Sequence, residues 1–93
     1  MVTTTQIRIL LADDHTVMRN GLRLLLERQP NLTVVAEAAD GREAVTMAAE
    51  QHPDVVIMDI AMPHLNGVEA ARQIVNQSPD TAVAILSMHS DES

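Results

Sequence analysis

Three aspartates stand where their carboxylates could do chemistry. Asp13 and Asp14 follow the apolar run Ile7–Ala12, and Asp59 follows a second apolar run at 55–58. If both runs are parallel strands, their carboxyl ends meet in the crevice where open α/β sheets bind ligands. Carboxylates that lie so close together must share a proton or bind a cation. Oxygen ligands without His or Cys select a hard cation, and an acidic crevice filled by Mg²⁺ suits phosphoryl transfer to an aspartate.

Taken one at a time, these residues have ordinary structural explanations. Asp13 or Asp14 could simply cap the helix that follows, and Asp59 could be a turn residue. Ser87, at the end of a further apolar run, would usually be a hydroxyl that hydrogen-bonds locally. What favours a functional site is that three predicted strands end in polar residues at the same edge of one sheet.

The elements that must position these aspartates alternate along the chain. Apolar runs predict four strands, at 7–12, 33–38, 55–59 and 82–86. Helical periodicity predicts three helices, at 15–29, 41–51 and 67–76. Pro30, Pro53 and Pro79 each lie in a turn just before a strand, and they are 23 and 26 positions apart, the length of one helix plus one strand. This order predicts an α/β fold, a doubly wound parallel sheet with right-handed crossovers.

Each helix is predicted to bury one apolar stripe against the sheet. In the first helix the stripe is Met18, Leu22, Leu25 and Leu26. In the second it is Ala44, Val45, Ala48 and Ala49, and in the third it is Val68, Ala71, Ile74 and Val75. The polar residues Thr33 and Glu37 within the second strand indicate a strand at the edge of the sheet.

Composition excludes several classes of function. At 93 residues and 46% hydrophobic content, the chain is expected to form one small domain over 1–93. A formal charge of -7 argues against a nucleic-acid-binding face, which needs clustered Lys and Arg. No apolar run approaches the ~20 residues that span a membrane, and the N-terminus lacks the pattern of a signal peptide. The chain has no cysteine, which fits a cytoplasmic protein. We expect no membrane partner.

Four motifs together resemble one known family. They are Ile-Arg-Ile-Leu-Leu-Ala-Asp-Asp-His ending at His15, Val-Val-Ile-Met-Asp-Ile-Ala-Met-Pro ending at Pro63, Asn-Gly-Val-Glu-Ala from Asn66, and Ala-Ile-Leu-Ser-Met around Ser87. The chain resembles the receiver domain of two-component response regulators, especially the receivers attached to LuxR/NarL-type helix-turn-helix transcription factors. The resemblance implies a flavodoxin-like parallel sheet of strand order 2-1-3-4.

The resemblance also implies roles at the acidic edge. Asp59 would accept a phosphoryl group from a phosphohistidine of a sensor histidine kinase. Asp14 and Asp59 would bind Mg²⁺ directly, together with the backbone carbonyl of Ala61, and Asp13 would hold a metal-bound water. Ser87 would be the switch hydroxyl that turns inward to meet the phosphoryl oxygens.

Further positions are implied to adjust the site. Ala61 and His89 would tune how fast the phosphoryl group is lost. The loop after the phosphoacceptor would be shaped by Met62, Pro63 and Gly67. The other two histidines near this edge, His15 and His64, are expected to be surface side chains rather than metal ligands.

The chain departs from the family pattern near its end. Its six basic residues are all Arg, so it holds no counterpart of the Lys that the family places on a fifth strand. That strand and the last two helices of the family are missing as well. We therefore expect a fragment of a longer regulator, which would reach DNA only through an effector domain absent from these residues.

Two consequences of this departure are expected. Losing one preorganised donor to a developing oxyanion typically costs ~10²–10³ in rate, so Mg²⁺ binding should survive better than phosphoryl acceptance. An apolar fourth strand at the sheet edge, and a face left bare by a missing helix, should make the chain marginally stable or favour self-association as a dimer.

Two other functions compete with this interpretation. A Mg²⁺-dependent phosphohydrolase of the haloacid-dehalogenase kind needs a second Asp two residues after its nucleophile, where this chain has Ala61. We therefore expect no enzyme of that kind, and we expect that the chain is not an enzyme. A non-phosphorylated interaction module that keeps only the receiver fold is the remaining alternative, and it should show no site-specific response to Mg²⁺.

Overall fold

Four parallel strands alternate with three helices in the computed structural model, which describes residues 5–60, 62 and 64–86. The strands are β1 (Ile7–Ala12), β2 (Leu32–Ala38), β3 (Val55–Asp59) and β4 (Ala82–Leu86). The helices are α1 (Thr16–Glu27), α2 (Gly41–Gln51) and α3 (Gly67–Gln77). The sheet order is β2-β1-β3-β4, and every neighbouring pair is parallel. The predicted fold class and strand order are confirmed, and β2 lies at an edge as predicted.

Side-chain caps define where α2 and α3 begin. The Asp40 carboxylate accepts the Glu43 N–H at 2.8 Å, while the Glu43 carboxylate accepts the Ala39 N–H at 2.7 Å. The Asn66 side chain likewise accepts the Glu69 N–H at 2.9 Å. These bonds satisfy amides that have no acceptor inside the helix. They hold the first turns of both helices against the loops that lead into them.

The central strand β1 supplies the core on both faces of the sheet, because its side chains alternate between them. On one face, Leu10 and Met58 are completely buried beneath α2 and α3. On the other face, Ile9 and Leu11 pack against Leu22 and Leu26 of α1. The ends of β1 and β3 are therefore held by dense packing on both sides.

The predicted stripe of α1 is wrong at two positions. Met18 is 39% exposed and Leu25 is 60% exposed, whereas Leu22 and Leu26 contact the sheet. Leu25 lies about a quarter of a turn from Leu26 around the helix. Met18 is in the same row as Leu22 and Leu26, one turn earlier, so the contact of this row with the sheet begins at Leu22. In α2, Ala44 and Ala48 are buried and Val45 is partly buried as predicted, but Ala49 is exposed.

The buried side of α3 is rotated from the predicted one. Of the predicted residues, Ile74 is buried and Ala71 packs against the core, but Val68 and Val75 are 46% and 45% exposed, and Ala70, which was not predicted, is buried. Gly67, Ala70 and Ile74 are spaced for one helix face, and the two valines flank it, lining a shallow groove beside β4. Across the described ranges, none of the helices is long and apolar enough to cross a membrane.

Candidate functional site

The aspartates that follow β1 and end β3 leave the sheet side by side. Ala12 is paired with Met58 in the parallel ladder, so the next residues, Asp13 and Asp59, stand at the same level. The Asp13 N–H donates to the Ala38 carbonyl at 3.0 Å, which ties this end of β1 to β2. The register of the sheet thus brings the predicted carboxylates to one edge.

Four neighbouring side chains form the acidic site. Asp13, Asp14, His15 and Asp59 each offer one ligand atom, and these atoms all lie within 4.8 Å of one another. Asp13 and Asp59 are 3% and 7% exposed, while Asp14 and His15 are exposed to solvent. The site therefore has a buried floor and an open side from which a ligand can reach it.

His15 lies closer to the site than its predicted surface position implies. Its Nδ1 is 3.2 Å from Asp13 Oδ1 and 3.1 Å from Asp14 Oδ1, although the side chain is 70% exposed. The hydrogen bond with Asp13, and then the charge of Asp14, raise the pKa of His15 above its ordinary value. The sequence feature that could have indicated this contact is the run Asp-Asp-His, which places His15 two residues after Asp13. The backbone N–H of His15 also donates to Asp13 Oδ1 at 2.8 Å.

The chemistry of the donors fits a hard divalent cation. Three carboxylates supply anionic oxygens, which are the ligands of Mg²⁺. Their mutual repulsion would be relieved by a cation, and the open side leaves room for the waters and phosphate oxygens that Mg²⁺ retains. Asp13, Asp14 and Asp59 are therefore suited to a Mg²⁺ site, and Mg²⁺ has no need of the His15 nitrogen.

Arg19 also reaches the site, which the sequence pattern did not predict. Its Nη1 donates to the backbone carbonyl of Asp13 at 2.6 Å, and its Nε donates to Glu37 Oε1 at 2.8 Å. In the sequence, Arg19 is simply a polar position on the side of α1 away from its apolar stripe. Every residue has a backbone carbonyl, so the sequence does not indicate that the Asp13 carbonyl accepts a bond from Arg19.

The loop after β3 packs tightly against its surroundings. Met62 is 7% exposed and belongs to the core cluster. Gly67 donates its N–H to the Ile60 carbonyl at 2.9 Å, and a Cβ at Gly67 would lie 2.5 Å from the Asp59 carbonyl oxygen. Met62 is thus packed into the core, and the close approach at Gly67 requires glycine; their role in shaping the loop stays a prediction.

The same loop touches the start of α2. A Cβ at Gly41 would overlap the Leu65 carbonyl oxygen, and His64 Nδ1 is 3.2 Å from Asp40 Oδ2. The His64 side chain is 65% exposed, and the His64 backbone is in the left-handed region with φ 71. Hydrogen bonding to the Glu43 backbone, and then the charge of His64, lower the pKa of Asp40. His64 is a surface residue outside the acidic cluster.

Four of the predicted site residues cannot be placed by this structure. Ala61, Pro63, Ser87 and His89 lie outside the described residues. Their proposed roles as metal ligand, loop residue, switch hydroxyl and tuning position remain predictions from the resemblance.

Comparison with known proteins identifies the family. A family model described as the response regulator receiver domain matches residues 9–93. The chain belongs to this family. It is 44% identical over 92 residues to the transcriptional regulatory protein DegU of Brevibacillus brevis, which covers 99% of the chain and 39% of DegU. It is 43% identical over 86 residues to the transcriptional regulatory protein LiaR of Bacillus subtilis (strain 168), which covers 92% of the chain and 41% of LiaR.

Solved receiver structures share the fold. A LuxR family two-component response regulator from Aurantimonas sp. SI85-9A1 has a TM-score of 0.87 at 43% identity, over 92% of this chain and 61% of that one. The response regulator domain of Thermotoga maritima CheB has a TM-score of 0.83 at 45% identity, over 88% of this chain and 60% of that one. The predicted family, a receiver with relatives of the LuxR/NarL type, is confirmed. The chain spans about two fifths of the length of the curated relatives DegU and LiaR.

Proposed function

We propose that this receiver accepts a phosphoryl group on Asp59 from a sensor histidine kinase, in the cytoplasm, and so controls a DNA-binding, transcription-regulatory domain. The observation that carries the proposal is the meeting of Asp13, Asp14 and Asp59 at the carboxyl edge of β1 and β3, with ligand atoms within 4.8 Å. Membership of the receiver family supports the same conclusion.

Asp59 is the nucleophile in this proposal. One of its carboxylate oxygens attacks the phosphorus, the new O–P bond forms, and the P–N bond to the kinase histidine breaks, with its electron pair returning to the imidazole. Asp59 is suited to this role because it ends a packed central strand and is only 7% exposed. A reacting group held in one place avoids the entropic cost of positioning it during the reaction.

Asp14 and Asp59 would hold Mg²⁺ directly, the carbonyl of Ala61 would complete the protein ligands, and Asp13 would hold a water. When bound, Mg²⁺ would neutralise charge on the phosphoryl oxygens. Asp14 is exposed and can meet an incoming ion, while buried Asp13 keeps one oxygen on the His15 amide. Ser87 would then detect the phosphoryl group, with Ala61 and His89 setting how long it lasts.

The test is labelling of the chain by a small phosphodonor in saturating Mg²⁺, with detection of an acyl phosphate by mass. The rate should be low, because the 93 residues contain no Lys and one missing oxyanion donor costs ~10²–10³ in rate. Asp59→Asn should abolish the label. Asp54→Asn is the matched control, since Asp54 lies just before the opposite end of β3 and its carboxylate accepts the Arg8 N–H at 2.8 Å.

Two results would contradict the proposal. A label that persists in Asp59→Asn would place the phosphoryl group elsewhere. A chain whose amide resonances show no site-specific response to Mg²⁺, and which stays the same in Asp14→Ala, would favour the alternative of a non-phosphorylated interaction module.

Self-association as a dimer is a further part of the proposal. Within the part of the chain that the structure describes, β4 pairs with β3 alone, and Ile85 on β4 is 40% exposed. An apolar strand with an unpaired side favours pairing with another chain. Sedimentation should show an average mass that rises with concentration. A cooperatively folding monomer at micromolar concentration would count against it.

A further inference from the structure

Arg19 connects the acidic site to the edge strand. The guanidinium lies between two acceptors: Nη1 donates to the Asp13 carbonyl at 2.6 Å and Nε donates to Glu37 Oε1 at 2.8 Å. Its side chain is only 16% exposed, and that of Glu37 is 21% exposed. Bonds from an ionised donor are about twice as strong as neutral ones, and partial burial reduces their screening by solvent.

The Asp13 carbonyl belongs to the peptide that joins Asp13 to Asp14. If this peptide rotates, the Asp14 amide and Cα move, and so does the direction of its carboxylate. The other side of Asp13 is already fixed, because its N–H donates to the Ala38 carbonyl at 3.0 Å and its Oδ1 accepts the His15 N–H at 2.8 Å. The Arg19 bond holds the third backbone or side-chain group of Asp13 that faces the site, its carbonyl.

Glu37 holds Arg19 in turn. Glu37 is paired with Leu11 of β1 in the sheet register, so it stands on a strand rather than on a loop. Its second oxygen accepts Arg23 Nη1 at 2.7 Å. Burial alone would raise the pKa of Glu37, but the bonds from Arg19 and Arg23 outweigh it and lower the pKa below its ordinary value. Glu37 therefore stays ionised at neutral pH and keeps the arginine in place.

We propose that Arg19 is a positioning residue for the metal site, because it clamps the Asp13 carbonyl to Glu37 and so sets the relative placement of the Asp13 and Asp14 carboxylates. The proposal rests on the proposed Mg²⁺-dependent function. The direction in which Mg²⁺ affinity changes when Arg19 is removed distinguishes a positioning role from an effect of charge alone. If Arg19 acted only through its charge, its removal would make the site more negative and tighten Mg²⁺ binding. If it acts by positioning, its removal weakens binding.

The experiment is a Mg²⁺ titration of the 93-residue chain, followed by the amide resonances of the acidic site. Arg19→Gln should weaken Mg²⁺ binding by ~10–100-fold, the usual effect of losing a residue that orients a metal ligand. Arg23→Gln is the matched control, because it removes the same charge from the same Glu37 but has no bond to Asp13. It should leave the Mg²⁺ affinity close to that of the unsubstituted chain. Unchanged or tighter binding in Arg19→Gln would overturn the proposal.

Arg19→Lys keeps the charge but replaces a planar fork by a single point donor, so it should also weaken binding. If Arg19→Gln does not fold, Arg19→Lys decides, and an unchanged affinity in it would overturn the proposal.

Two further measurements separate this proposal from the proposed function. Binding that is absent, or insensitive to Asp14→Asn, would contradict the function. Without Mg²⁺, the Asp14 amide resonance should shift and its order parameter fall in Arg19→Gln but not in Arg23→Gln, and the absence of this difference would overturn the positioning role by itself.

Discussion

The backbone contact at Gly67 can be tested by adding a single methyl group. A Cβ there would lie 2.5 Å from the Asp59 carbonyl oxygen and 2.8 Å from the Ile60 Cα. Carbon and oxygen atoms that are not bonded to each other normally stay at least ~3.3 Å apart, so the Asp59 carbonyl must move by about 0.8 Å. Backbone is the obstacle here, and it cannot swing away as the end of a side chain can. Gly67→Ala therefore displaces Asp59, the proposed phosphoacceptor.

Two magnitudes follow from this displacement. Overpacking of a well-packed site typically costs ~1–3 kcal/mol, so the free energy of unfolding should fall by about that amount. A misplacement of ~1 Å near reacting groups can cost ~10²-fold in rate, so labelling of Asp59 should fall much more than stability does. Mg²⁺ affinity should fall as well, because the carboxylate of Asp59 moves with its backbone.

Gly21→Ala is the matched control for Gly67→Ala. Gly21 lies within α1, and a Cβ there meets nothing within 4 Å. Alanine is favoured over glycine inside a helix by ~1 kcal/mol, so this variant should gain stability and keep its Mg²⁺ affinity. The chain has no Trp, Tyr or Phe, so urea unfolding is best followed by far-ultraviolet circular dichroism. A Gly67→Ala chain as stable as Gly21→Ala, with normal Mg²⁺ binding, would refute a backbone clash at position 67.

Three further predictions test the packing around the site. Asn66→Ala removes the cap that accepts the Glu69 N–H at 2.9 Å and should destabilise the chain by ~1 kcal/mol in urea unfolding; no loss would mean that the cap is replaced by water. Leu10→Ala, at a completely buried position, should cost ~2–5 kcal/mol, whereas Leu24→Ala, 69% exposed, should stay within ~0.5 kcal/mol; equal effects would contradict the assigned core. For Glu37, the arginine bonds outweigh burial and lower the pKa, so its stabilisation is present above the ordinary Glu pKa of ~4.3 and is lost as pH falls through the lower, folded value. The difference in unfolding free energy between the unsubstituted chain and Glu37→Gln should therefore be constant near neutrality and shrink in acid, and a difference independent of pH would count against the ion pair.

Most of the fold could be predicted because local signals agreed with one another. The bounds of β1 and β4 are as predicted, and β2 begins one residue earlier, at Leu32. Apolar runs bounded by proline turns have few alternative interpretations. The helix faces were harder, because Val68 and Val75 satisfy the same periodicity as buried residues. Which flank of an apolar stripe meets the sheet depends on the neighbouring element, and the helix sequence does not contain that information.

Some residues of the candidate site could likewise be predicted from the sequence, and others could not. The carboxylates of Asp13 and Asp59 could be predicted because each lies where an apolar strand ends, and the parallel register then brings them together. Arg19 could not, since one of its acceptors is a backbone carbonyl and the other, Glu37, stands on a strand 18 positions further along. Long-range polar contacts of this kind depend on the three-dimensional register, which a single sequence does not display.

The two basic side chains at the acidic edge, His15 and Arg19, differ in which atoms they contact. His15 approaches carboxylate oxygens of Asp13 and Asp14, at 3.2 and 3.1 Å, so it occupies atoms that a metal ion would need. Arg19 instead donates to the Asp13 backbone carbonyl at 2.6 Å, so this bond does not occupy the carboxylate oxygens of that residue. An exposed histidine can turn away at little cost, while a largely buried arginine with two acceptors cannot. The Arg19 guanidinium thereby fixes the backbone of the acidic edge without competing for the carboxylate oxygens. Metal binding at a preorganised site requires this arrangement.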